Sequence, residues 1–223
     1  MEKVKKYFII LVLFFLVIFI SGCINILPTL EDDSIAPGKG RLKIYLTDSS
    51  GDYKANDSET YSAVYITISR IEAHIAGDNE GDNEGVEGYW IILKEWDEGD
   101  ISAKIDLIIL KEEGISLLLT ENELIPNKYT QLRLFVTKAS VLIETKSKEN
   151  KLIEVGTNWE PVEIPSAYQT GIKLIHPFEI IENGDAVLTI DFDAEKSIIK
   201  TGNENNGNYK LKPVIKVVTN IFE

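Results

Sequence analysis

The chain has 223 residues, with 36 acidic and 23 basic side chains, two histidines and one cysteine, for a net charge of −13. Such acidity argues against a nucleic-acid binder, which must gather Lys and Arg against phosphate, and a lone cysteine excludes an internal disulfide, a Cys-rich zinc centre and a CxxC redox pair. A hydrophobic content of 44% suffices for a buried core and argues against global disorder, and the length suits one large domain or two small ones.

The N-terminus sets Lys3, Lys5 and Lys6 before an unbroken apolar run from Tyr7 to Ile20. A basic start, a short apolar stretch and small residues after it form the secretory signal pattern. Fourteen residues at about 1.5 Å each reach roughly 21 Å, short of the ~30 Å hydrocarbon core. The run ends Ile20-Ser21-Gly22-Cys23, which resembles a lipobox. On that reading the chain is cut between Gly22 and Cys23, and the Cys23 thiol takes a membrane lipid. The other reading is an uncleaved anchor from Tyr7 to about Leu27. Both keep the lysines on the cytoplasmic side and export the rest. Removing residues 1–22 takes out three lysines and one glutamate, so the net charge of the exported part moves from −13 to −15.

Residues 23–40 mix Pro, Gly and acidic side chains without periodicity and read as a tether. From Arg41 the dominant period is two. Leu42, Ile44 and Leu46 alternate with polar neighbours, which predicts a half-buried strand. The polar turn at Thr47–Asp52 follows, with Asp48 as an Asx-type turn former or, more sharply, a cation ligand. Asn56-Asp57-Ser58 is an N-glycosylation sequon at Asn56. Val64, Ile66 and Ile68 alternate, but the apolar phase then slips to Ile71, Ala73 and Ile75. A slip of one residue flips every side chain, so a β-bulge is expected near Ser69-Arg70. His74 falls on the polar side after the slip and reads as a hydrogen-bonded surface histidine.

The tandem Asp-Asn-Glu-Gly stretch at Gly77–Gly85 is rich in oxygen donors. Counted from Asp78, Asn83 and Tyr89 stand where an EF-hand loop needs Gly and Glu, so it reads as a solvated loop. Strands are predicted at Tyr89–Lys94, Lys104–Leu110, Tyr129–Thr137, Ser140–Thr145 and Lys151–Val155, with one or two helical turns at Ile115–Asn122. Leu124-Ile125-Pro126-Asn127-Lys128-Tyr129 resembles the tyrosine-corner turn of Greek-key sandwiches, in which Tyr129 packs its ring and returns its hydroxyl to nearby backbone. Further strands are predicted at Gly171–Ile180, Ala186–Asp193 and Lys210–Thr219, where Pro213 favours an edge or bulge. Trp159 and Tyr168, with Trp90 and Trp96, either plug the ends of the core or form a platform for sugar rings.

Asp191 and Asp193 share the face opposite Leu188, Ile190 and Phe192. Two carboxylates so placed either pair with lysines such as Lys196 or Lys212 and accept loop N–H groups, or bind calcium, or flank a glycosidic bond. A site shared with Asp48 needs both loops at one end of the sandwich. His74 and His176 are too few and too isolated for a zinc signature, and no Gly-x-Ser-x-Gly elbow supports a hydrolase triad.

The pattern predicts an all-β fold: an antiparallel Greek-key β-sandwich of the transthyretin or immunoglobulin-like kind over residues 41–223, behind an N-terminal signal or anchor helix. Six ordered segments, Leu42–Asp48, Val64–His74, Leu124–Leu134, Pro165–Leu174, Ile190–Ser197 and Leu211–Val217, together resemble the exported lipoprotein domain known as domain of unknown function 4382. The resemblance implies a β-sandwich behind a lipoprotein signal and supplies no catalytic residues. The functional expectation is therefore a non-enzymatic, membrane-anchored extracytoplasmic module for binding, adhesion or envelope architecture. Its partners are membrane lipid through Cys23 and a surface protein or glycan. The alternative is an exported polysaccharide-acting enzyme, or a calcium-dependent carbohydrate-binding accessory, using Asp191 or Asp193.

Overall fold

The computed structural model describes residues 34–49, 54–56, 59–77, 87–145, 159–202 and 208–222. The signal segment with Gly22 and Cys23, most of the tether, the acidic stretch at 78–86, the Asp57 and Ser58 of the sequon and the candidate strand Lys151–Val155 lie outside the described residues. Among the described residues no helix is long and apolar enough to cross a membrane.

In chain order the elements are β1 (Gly40–Thr47), β2 (Lys54–Asn56), β3 (Glu59–Ile75), β4 (Tyr89–Glu95) and, after a 3-10 turn at Ile101–Ala103, β5 (Lys104–Asp106). Helix α1 (Leu107–Glu112) leads into β6 (Leu117–Leu124) and the long β7 (Asn127–Thr145). Then come β8 (Trp159–Glu163), α2 (Ser166–Gln169), β9 (Ile172–Ile180) and β10 (Asp185–Phe192). The chain closes with α3 (Ala194–Ser197), β11 (Ile198–Thr201), β12 (Asn208–Leu211) and β13 (Ile215–Phe222).

The strands form two sheets. The small one has the order β13-β10-β1-β6. The large one runs β11-β12-β8-β7-β3-β2, with β4 and β5 also paired to β3 and β9 to β7. The fold is all-β and two-layered, as the alternation predicts. Leu42, Ile44 and Leu46 of β1 join Leu188, Ile190 and Phe192 of β10, Val64 to Ile75 of β3 and Leu132 to Val136 of β7 in one core cluster. Outward residues of β1 pair across strands. Arg41 Nε lies 2.6 Å from Asp185 Oδ1, and Lys43 Nζ lies 3.8 Å from Glu121 Oε2. Gly40 fits where nothing larger does, because a Cβ there would meet the Ile181 carbonyl oxygen at 2.1 Å.

The bulge in β3 occurs as expected. Ile68 pairs with Val136 and Arg70 with Phe135, which leaves Ser69 as the extra residue. Its carbonyl accepts the Trp96 N–H at 2.9 Å instead. Both apolar runs of β3 therefore face the core. Tyr129 also behaves as its motif predicts: it is fully buried, stacks on Phe178 at 5.1 Å and donates its hydroxyl to the Ile125 carbonyl at 3.1 Å.

Four expectations need correction. The sheets are mixed: β1 runs parallel to β10, and β12 parallel to β8. These partners are far apart in sequence, so no hairpin dictates their direction. Leu107–Leu110 is helical, with only Lys104–Asp106 extended. The Asp106 carboxylate caps the turn by accepting the Ile108 N–H at 3.1 Å, and Leu107, Ile108 and Leu110 bury one helical face. A continuous apolar run has no period to separate helix from strand. Conversely, the candidate helix at Ile115–Asn122 is mostly strand β6. There Thr120 bonds Asn122, whose amide donates to the Leu93 carbonyl of β4 at 2.9 Å, tying the small sheet to the large one. Finally, Lys210–Thr219 is two strands, β12 and β13, in different sheets, and Lys212–Val214 carries the chain between them. Pro213 marks a crossing because it cannot donate to a ladder.

Burial, with a smaller contribution from Tyr89, pushes the Tyr129 phenol up to about 12. In the unfolded chain it ionises near 10. The unfolded state thus loses its proton first, and the stability held below pH ~10 falls by roughly 2–3 kcal/mol as pH rises to about 12. Urea unfolding across that range should show the decline. Tyr129→Phe should remove this part of the slope while costing about 1 kcal/mol at neutral pH.

Candidate functional site

Two places hold the chemistry-bearing side chains. The first is the corner where the chain leaves β10. Thr47 pairs with Asp191 in the parallel ladder, so the turn after β1 lies beside the end of β10. Asp48 is 2% exposed, and its Oδ2 accepts the Ala194 N–H at 3.2 Å. Asp191 accepts the Ser49 N–H at 3.0 Å and also the Ser49 hydroxyl. Asp193 caps α3, accepting the Lys196 N–H at 2.9 Å and pairing with the Lys196 ammonium at 2.6 Å. That hydrogen bond first, then the charge of Asp193, holds the Lys196 pKa above its ordinary value.

The structure therefore does bring Asp48, Asp191 and Asp193 to one end of the sandwich. Each carboxylate is engaged there by backbone N–H groups, a hydroxyl or a lysine. Among the described residues no group of three or more His, Cys, Asp or Glu side chains is arranged to hold a metal ion. The same corner includes a residue that the sequence did not flag. Ser197 is fully buried; its hydroxyl accepts the Val214 N–H at 2.8 Å and its carbonyl accepts the Lys212 N–H at 2.8 Å. A small polar residue just inside an Asp-capped turn was the only available signal.

The second place is the outer face of the large sheet. Before the bulge, β3 turns Tyr65 and Thr67 outward, and their neighbours on β5, β7 and β8 complete a hollow of about 480 Å³. Trp159 is 44% exposed and leans on Tyr65, with centroids 5.0 Å apart and planes at 41°. The Lys104 ammonium sits 4.0 Å from the Tyr65 centroid and 5.6 Å from that of Trp159, an arrangement that fixes a cation at the edge of an aromatic surface. Lys138, Ser140 and Glu160 also line the hollow. Sequence reasoning singled out Trp159 but missed Tyr65 and Lys104, because their meeting depends on the β5–β3–β7–β8 order.

Beyond the bulge the outer face is closed. Glu72 is 7% exposed between Arg70 and Arg133, with nitrogen–oxygen distances of 2.9 and 3.2 Å. The guanidinium of Arg133 lies 3.8 Å from the Trp90 centroid and that of Arg70 4.2 Å from Phe135. Trp96 is buried and so is no platform, while Tyr168 packs partly against the core. His74 Nδ1 bonds the Thr130 hydroxyl at 2.9 Å, and His176 Nε2 bonds that of Thr219, bridging β9 to β13. His74 thus has the hydrogen-bonded role expected of it. Asn56 is the last residue of β2.

The family profile described as "Domain of unknown function (DUF4382)" matches residues 39–213. The chain belongs to this family. No curated protein and no solved structure matches it. Within the DUF4382 domain, the segments Leu42–Asp48, Ile190–Ser197 and Leu211–Val217 converge on the Asp48–Ala194–Ser197 corner, through the hydrogen bonds given above. The Leu124–Leu134 segment supplies Tyr129 and its turn. The family pattern in this chain thus coincides largely with the framework of the sandwich, and reaches the outer face through Tyr65, Thr67, Arg70, Glu72 and His74 of β3 and Arg133 of β7.

Asp48→Ala leaves the buried Ala194 N–H of the DUF4382 domain without this acceptor. A loss of about 1–3 kcal/mol is expected, read as a lower midpoint in urea. Asp191→Asn keeps an acceptor for the Ser49 N–H and should cost under ~1 kcal/mol. Equal losses in the two variants would show that the corner does not distinguish buried from exposed carboxylates.

Proposed function

We propose that this chain is a membrane-anchored, extracytoplasmic, non-catalytic binding module that captures a ligand on the outer face of its large sheet. The observation that carries the binding role is the Tyr65–Trp159 pair, an exposed aromatic surface with an ammonium held beside it. An exposed indole is costly to leave in water and gains most by stacking on a flat, weakly polar ring such as a sugar. Engagement of Asp48, Asp191 and Asp193 in local hydrogen bonds supports a non-catalytic reading over a glycosidase one, which needs two carboxylates free to face a scissile bond. Anchoring rests on the N-terminal pattern: a basic start, a short apolar run and Cys23 after Ser21-Gly22. Greek-key ordering of the sandwich belongs to the same reading.

Two measurements test it. In cell fractionation, the wild-type chain should partition with membranes and carry added lipid mass at a new N-terminal Cys23, and Cys23→Ala should lose the lipid. An intact Met1 with no mass at Cys23 overturns the lipid anchor. On a glycan array, the full chain in detergent micelles should be retained by a subset of saccharides. Trp159→Ala should lose that retention by at least ten-fold with an unchanged melting temperature. Retention that survives the substitution would place the ligand elsewhere.

A further inference from the structure

The hollow around Trp159 has a charge pattern at odds with the rest of the molecule. Lys104 of β5 pairs with Thr67 of β3, and Thr67 pairs with Lys138 of β7. The two lysines therefore flank one residue across neighbouring strands, on the same outward face, with backbones about 10 Å apart. Both are exposed. Among the described residues neither ammonium has a carboxylate partner. Acidic residues outnumber basic ones by 36 to 23 in this chain, so two facing lysines that form no ion pair are unexpected by composition. Lys104 is held on the Tyr65 ring, where its charge stays exposed to a ligand lying on Trp159.

Resting on the stacking reading above, we propose that the ligand is an acidic saccharide, one of whose rings stacks on Trp159 while its anionic group lies between Lys104 and Lys138. Ser140 and Thr67 offer hydroxyls to the sugar, and Glu160 lines the same hollow as an acceptor for ring hydroxyls. The adjoining hollow shares Thr67, Lys104 and Lys138 but is bordered by Asp97, Glu98 and Asp100. Those carboxylates repel a broad anionic surface such as a lipid bilayer. They leave room for a slender chain that presents one charge at a time. The feature therefore favours an acidic glycan over an anionic membrane.

The test uses the full chain in detergent micelles, titrated calorimetrically with oligogalacturonate and with the same oligomer after carboxyl reduction. A sulfated neutral-backbone oligomer serves as a third arm, separating carboxylate from sulfate as the anion. The acidic oligomer should bind at least ten-fold more tightly than its reduced counterpart. Lys104→Gln with Lys138→Gln should abolish that preference while leaving weak binding of the reduced oligomer. Lys216→Gln, on the small sheet, should change nothing. Equal affinity for acidic and reduced oligomers overturns the acidic assignment and leaves the stacking reading standing. Binding of none of the three overturns both. Loss of the preference in Lys216→Gln reveals diffuse attraction and overturns the site, as does capture by phosphatidylglycerol vesicles that oligogalacturonate cannot compete away.

Discussion

The two sheets are joined covalently at crossings, and two of those crossings meet at one buried serine. The chain leaves the small sheet after β10 through α3 and returns to it between β12 and β13. Ser197 touches both paths: its N–H donates to the Asp193 carbonyl, its carbonyl accepts from Lys212 and its hydroxyl accepts from Val214. The Asp193 N–H closes the loop by donating to the Val214 carbonyl at 3.0 Å. Asp48 then fastens β1 to the same point through Ala194. A parallel pair such as β1 and β10 lacks a hairpin to set its register. Here the register is held at one end by this corner and at the other by Arg41 and Asp185. Slippage by one residue would turn Leu42, Ile44 and Leu46 out of the core, so the buried polar corner and the apolar packing depend on each other.

With the inner faces committed to packing, the outer face of the large sheet is where the proposed binding would take place. The bulge at Ser69 divides that face. Upstream, the outward residues of β3 are Tyr65 and Thr67; downstream they are Arg70, Glu72 and His74. Without the extra residue, the second half of β3 would direct its charged set into the core. The two zones differ in their electrostatics. Around Glu72, a nearly buried carboxylate has two guanidiniums, and Trp90 and Phe135 cover their planes. Most of the opposite charges there already meet each other. Around Tyr65 neither lysine forms an ion pair among the described residues, although Glu160 lines the same hollow, and the indole beside them is exposed. Only the second zone leaves aromatic surface and charge together for a ligand.

Much of this framework was legible because it depends on local periodicity. The alternation in β1, β3, β9 and β10, the phase slip at Ser69 and the Leu-x-Pro-x-x-Tyr turn each involve neighbours within a few residues. The failures share a physical cause. Leu107–Leu110 is apolar at every position, so it lacks the period that separates helix from strand, and the Asp106 cap decides. Leu117–Leu124 mixes exposed and buried positions because it forms an edge strand with an irregular register against β1. The parallel pairs and the switch of sheets at Pro213 are long-range choices that no short window records. The same holds for the candidate sites. Asp48, Asp191 and Asp193 stand out in the sequence as oxygen donors, and the Lys196 partner of Asp193 is local, but the backbone partners of Asp48 and Asp191 come from another part of the chain. Trp159 reads from the sequence as either a core plug or a platform, and only the fold exposes it, whereas Tyr65 and Lys104 read individually as ordinary strand residues.

Charge also limits what the outer hollow can recognise. At physiological ionic strength, interactions between exposed charges fade over about 8 Å. The net charge of −13 therefore opposes an acidic ligand mainly during approach, while Lys104 and Lys138 act at contact. Two exposed ammonium groups contribute modestly on their own, too little to retain a small anion without further contacts. The indole adds stacking that a free anion cannot use, and the acidic border disfavours a wide anionic surface. Selectivity in the proposed site thus arises from requiring both features on one ring, a flat apolar face and an adjacent negative charge. Neither the aromatic pair nor the lysine pair imposes that condition alone.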